Sequence, residues 1–157
     1  MFEFLLISHL LGVFILVAGL GVATTLGMYS EKTDNVRTIK SMMDILTFNG
    51  RVVITAGMLI TFVFGIALVG ETDHEMSEAW ISASFLLWFI ILGLTHAVLV
   101  KGTKETAARC DELLASGATA TTEFQGSALS KKLATTGWVI NVSTLVMLYL
   151  MVAKPGT

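Results

Sequence analysis

The chemistry open to this 157-residue chain rests on three histidines and a few carboxylates. His9 and His96 stand inside otherwise apolar stretches, where a neutral imidazole can serve as a ligand for a metal or for haem iron. Ionisable groups in hydrocarbon are costly and are functional suspects for that reason. His9 is therefore read as a candidate metal ligand, and His9 and His96 as candidate cofactor-binding residues, with haem b as the candidate cofactor. The plain alternative for each is a histidine that only hydrogen-bonds a neighbouring helix. His74 differs, because it lies among Glu71, Asp73, Glu75 and Glu78. That group offers carboxylate oxygens to a hard cation, yet consecutive acidic residues in a short link ordinarily stay solvated. No side chain is read as catalytic.

These residues must be positioned by membrane helices. Hydrophobic residues make up 54% of the chain and charged residues 14%, against about 25% charged for a soluble domain, and the mean hydropathy is +0.78. A net charge of −2 gives no basic field for nucleic acid. A single cysteine, Cys110, excludes an intramolecular disulfide and a cysteine metal cluster.

A hydrocarbon core about 30 Å thick needs roughly 20 apolar residues in a helix. Residues 4–29, 52–70, 79–100 and 133–153 qualify, all within one membrane domain covering residues 1–157. Lys32, Arg37, Lys40 and Arg51 fall in 30–51, and Lys101, Lys104, Arg109, Lys131 and Lys132 in 101–132, which is nine of the ten basic residues. The positive-inside rule places both segments in the cytoplasm. The expectation is a multi-pass protein of the bacterial inner membrane with both termini outside. Trp80 and Tyr149 near the outer boundary, and Tyr29 and Trp138 near the inner one, suit an aromatic belt. Ile39, Met42, Met43 and Leu46 recur at helical spacing among Arg37, Lys40, Ser41 and Asp44, which predicts a short amphipathic helix on the cytoplasmic surface. The third helix is expected to run on to Gly117, followed by a polar linker over 118–127.

Small residues let membrane helices approach closely. Gly12, Gly19, Ala23 and Gly27 share one face of the first span with His9, and Gly57, Thr61 and Gly65 repeat at spacing four in the second. Gly93 and Ala97 in the third, and Gly137 and Asn141 in the fourth, complete four seams. An all-α, antiparallel four-transmembrane-helix bundle buries all of them, and a homodimer through one seam is the alternative. In such a bundle His9 lies roughly 8 Å below the outer boundary and His96 roughly 6 Å above the inner one. Two imidazole nitrogens on one iron are only about 4 Å apart. The pair does not clamp a single haem: each histidine has another partner at its own height, such as Met147 or Met151 opposite His9, or there are two sites, or only one histidine is a ligand. Methionine at helical spacing is more often packing material. Arg51 is read as snorkelling to headgroups and Asn141 as a bond across to another helix.

His9-Leu10-Leu11-Gly12, Gly19 ten residues after the histidine, and Phe64-Gly65-Ile66-Ala67-Leu68 resemble a family of small bacterial four-helix membrane proteins of unknown function. That family is in turn distantly similar to the CopD-like copper proteins and the HemJ-type protoporphyrinogen oxidases, whose first-helix histidine is linked to haem. The resemblance implies the same fold and favours His9 over His96. The function expected is that of a haem-associated or accessory subunit of a larger, respiratory-type membrane complex. A protoporphyrinogen oxidase-like enzyme and a purely structural subunit without cofactor are the alternatives. Expected partners are the lipid bilayer and other membrane subunits or further copies of the chain.

Overall fold

Each apolar stretch finds its hydrogen bonds within its own backbone, the one open-ended solution in lipid, and the result is four long helices. The computed structural model describes residues 1–72 and 74–155. In chain order the helices are α1 (Phe2–Ser30), α2 (Val36–Gly70), α3 (Ala79–Ala115) and α4 (Ala128–Ala153). The shortest has 26 residues, about 39 Å of helix, so each can cross a bilayer. No strand occurs among the described residues, and Asp73 of the acidic link lies outside them. Side chains such as Phe14, Val63, Leu86 and Leu145 are exposed on the outer faces, as a bilayer requires.

α2 and α3 are longer than their apolar stretches, and each contains one π-helical turn, at Asn49–Ile54 and Thr95–Val100. The turns meet: a Cβ on Gly50 would come within 2.7 Å of Val100 Cγ2. The amphipathic segment expected to lie on the membrane surface is instead the first part of α2. Asn35 caps it, accepting from the Thr38 N–H at 3.0 Å, and nothing breaks the helix at Asn49. Its apolar face, Val36, Ile39 and Met43, packs on Ala107 and Cys110 of α3 rather than on lipid.

α3 ends as the sequence predicts. Gly117 takes φ +84°, and the N–H groups of Gly117 and Ala118 reach the Leu114 and Leu113 carbonyls at 3.0 Å, a Schellman cap. The linker after it is stitched back across the chain. Val36 N–H donates to Thr119 O at 3.1 Å and Thr121 N–H to Asp34 O at 2.7 Å, while Arg109 binds Glu123 at 3.0 Å.

The helices form an antiparallel bundle. α1 lies along α2 through a glycine contact: a Cβ on Gly57 would stand 2.6 Å from Leu16 N, and one on Gly12 would stand 2.6 Å from Thr61 N. Gly27, Gly93 and Gly137, expected in seams of their own, have no neighbour within 4 Å of a Cβ. Close glycine contacts instead join α1 to α2 at Gly12 and Gly57, α2 to α3 at Gly50, and α3 to α4 at Gly102, where a Cβ would stand 2.6 Å from Leu133 Cδ2. α4 packs on α3, and Leu16, Leu20, Ile54, Met58, Ile91 and Ile140 fill the middle. Toward the acidic link, α2 and α3 part, and a crevice opens between the α1–α2 and α3–α4 pairs.

Candidate functional site

His9 stands in the wall of that crevice. The residue is 8% exposed, and its Nδ1 is 2.9 Å from the Thr61 carbonyl oxygen. A carbonyl only accepts, so Nδ1 donates, and in the neutral ring Nε2 keeps a lone pair. The seat is provided by Gly65, where a Cβ would come within 3.1 Å of the His9 Cε1 and 3.2 Å of Nδ1. Nε2 has no hydrogen-bond partner among the described residues, and the buried Thr61 Oγ1 lacks one too.

The crevice has a volume of about 380 Å³, within the usual range for small-molecule sites. Met147 and Met151 of α4 line it together with His9. Phe62 and Trp88 stack in its wall with ring centroids 4.4 Å apart, and Trp88 Nε1–H is fixed to the Met58 carbonyl at 3.1 Å. These two rings hold α2 and α3 apart. At the mouth, Lys154 Nζ lies 3.0 Å from His74 Nε2, His74 Nδ1 lies 3.0 Å from Glu78 Oε1, and Trp80 Nε1–H donates to Glu78 Oε2 at 2.6 Å. Trp80, expected as a lipid-facing belt residue, is buried under this cluster. Burial pushes the Glu78 carboxyl up, but hydrogen bonds from the Trp80 indole, the Glu75 N–H and His74 outweigh it and hold the group below the ordinary glutamate range.

The sequence of residues 3–155 matches one family model. The chain belongs to DUF2269, a family of predicted integral membrane proteins. No curated protein and no solved structure matches the chain. The likeness to CopD-like and HemJ-type proteins is not shown by these comparisons.

In this DUF2269 chain the two membrane histidines are separate. His96 is exposed and does not line the crevice. Its Nε2 is 3.0 Å from Thr55 Oγ1. That hydroxyl spends its one proton on the Gly50 carbonyl, 2.8 Å away, so His96 donates to it. The anchors of the two rings, Thr55 and Thr61, are six residues apart on α2, about 9 Å along the axis. Asn141 bonds across to Thr24 Oγ1 at 3.0 Å, as its type predicts. Among the described residues no three His, Cys, Asp or Glu side chains gather as a metal site. Sequence reasoning missed Gly65 as the imidazole seat, the Phe62–Trp88 wedge and the Lys154 contact. Only Gly65 left a signal, its spacing of four from Thr61.

Proposed function

We propose that this DUF2269 protein binds haem in the crevice through His9 and acts as an accessory subunit of a larger membrane assembly. The observation that supports the reading is the state of the His9 ring: Nδ1–H fixed on Thr61 O and Nε2 open to an apolar crevice. A backbone acceptor on the second ring nitrogen is the arrangement that orients a ligating histidine. The donor set fits haem better than a bare metal ion, because a porphyrin supplies four nitrogens itself and one imidazole with a thioether completes the coordination. Bound haem would supply one-electron redox chemistry.

The protein's own contribution is positioning. Thr61 and Gly65 fix the imidazole, Met147 offers the thioether, Phe62 and Trp88 keep the site dry, and Lys154 at the mouth offers a cation to carboxylates. Such a protein is proposed to meet partners through its lipid-facing helices. Its orientation in a bacterial inner membrane is proposed from the basic residues: both termini and the acidic link outside. Wild-type protein purified after expression with haem supplementation should show a Soret band that His9→Ala removes or shifts. Absence of haem from the wild type contradicts the reading. Labelling of Ser77→Cys from the outer side of intact cells checks the orientation, and labelling only from the cytoplasmic side overturns it.

A further inference from the structure

The acidic end of the crevice is bridged by a hydrogen-bond chain that only a neutral His74 can complete. Lys154 ends α4 in a left-handed conformation, φ 41°, and its Nζ faces His74 Nε2 at 3.0 Å. An ammonium has no lone pair, so Nε2 must accept. The proton of the neutral ring then sits on Nδ1, facing Glu78 Oε1 at 3.0 Å and Oε2 at 3.1 Å. Glu78 is held in turn by the Glu75 N–H at 2.9 Å and by the Trp80 indole. Donation runs one way, from α4 through His74 into the link that joins α2 to α3. Thr72, His74, Trp80 and Lys154 all line the crevice at this point.

A proton added at Nε2 removes the acceptor and sets a second cation 3.0 Å from the ammonium. Glu78 keeps the imidazolium on the link side, so the repulsion falls on Lys154, whose Nζ also lies over the Trp80 ring, 5.6 Å from its centroid. We propose that His74 is a proton-operated latch, closed when neutral, whose protonation releases Lys154 and opens the crevice at the acidic end. Among the described residues the ionisable groups facing it are Glu78 from the link and Lys154 from α4. α1 and α2 bring Phe2, Leu6 and Val69 to the rim, while Glu3, Glu71 and Glu75 are exposed and do not line the crevice, and Asp73 lies outside the described residues. Histidine side chains change charge between pH 5 and 8, a range in which Glu78, held low, stays ionised. Among the described groups the latch answers to His74, and it works whether or not haem is bound.

The test uses full-length protein in lipid nanodiscs, with spin labels at Ser77→Cys and Val152→Cys, both exposed, and Cys110→Ala to remove the native thiol. Between pH 8 and pH 5 the inter-label distance distribution should shift to longer values. His74→Gln, which keeps a neutral acceptor for Lys154, should hold the pH 8 distribution throughout. An unchanged wild-type distribution, or a shift of equal size in His74→Gln, overturns the proposal.

Discussion

In the basic half of the molecule α2 and α3 run side by side from their π-turns outward, with Thr47 Oγ1 2.9 Å from Thr103 Oγ1 and Ile39 and Met43 against Ala107 and Cys110. In the acidic half the same two helices part around Phe62 and Trp88. The difference is one of side-chain size at the contact. Gly50 and the two threonines let backbones approach, while stacked aromatics act as a wedge and leave a cavity beside themselves. The same helix pair thus makes a tight contact in one half and parts in the other, where the crevice holds the His9 Nε2 and the Thr61 Oγ1 without partners among the described residues. A framework is placed beside a site without a separate domain for either.

The sharpest way to break this comparison is to overfill the α1–α2 contact. Gly57→Leu drives a side chain into the Leu16 backbone and should cost about 3 kcal/mol, read as a lower melting temperature in detergent. Gly93→Leu, with open space around it, should change stability by about 0.5 kcal/mol or less. Equal losses from the two would show that close approach does not organise the fold. A smaller effect is expected in the basic half, where Ile39→Ala, at a side chain 1% exposed, should cost about 2 kcal/mol and leave any haem spectrum unchanged.

Acid should separate the halves again. Because Glu78 is held below the ordinary glutamate range, its bonds contribute fully above that range and are lost as pH falls through its lowered value. Hydrogen exchange at the Glu75 amide, which donates to Glu78 at 2.9 Å, should therefore quicken relative to the α2 amides only well below pH 4 to 5. Glu78→Gln should abolish that acid step. The smallest effect is expected from Arg109→Ala. Its ion pairs with Glu112 and Glu123 are about half exposed, so solvent screening should leave the melting temperature almost unchanged.

Four helices were legible because hydropathy needs no partner to be read. The end of α3 was legible in Gly117, and Asn141 in its type. The parts that were not legible depend on which face meets which neighbour. The stripe Ile39, Met42, Met43 and Leu46 satisfies a lipid surface and a helix surface equally well, and only the presence of Ala107 and Cys110 opposite decides between them. Likewise Gly27, Gly93 and Gly137 look like Gly57 in sequence, but a glycine in open space and a glycine under a backbone nitrogen differ only in three dimensions. His9 could be singled out by its depth and its place beside Gly12, whereas its bond to a main-chain carbonyl leaves no trace in residue types.

The central claim is that His9 presents an open Nε2 to a cofactor in the crevice, and an absorption spectrum of the purified protein tests it most directly. With haem supplied during expression, the wild type should show a Soret band, His9→Ala should lose or shift it while remaining four-helical by circular dichroism, and His96→Ala should leave it in place. A wild type without haem, or a band that His96→Ala removes and His9→Ala spares, would contradict the account.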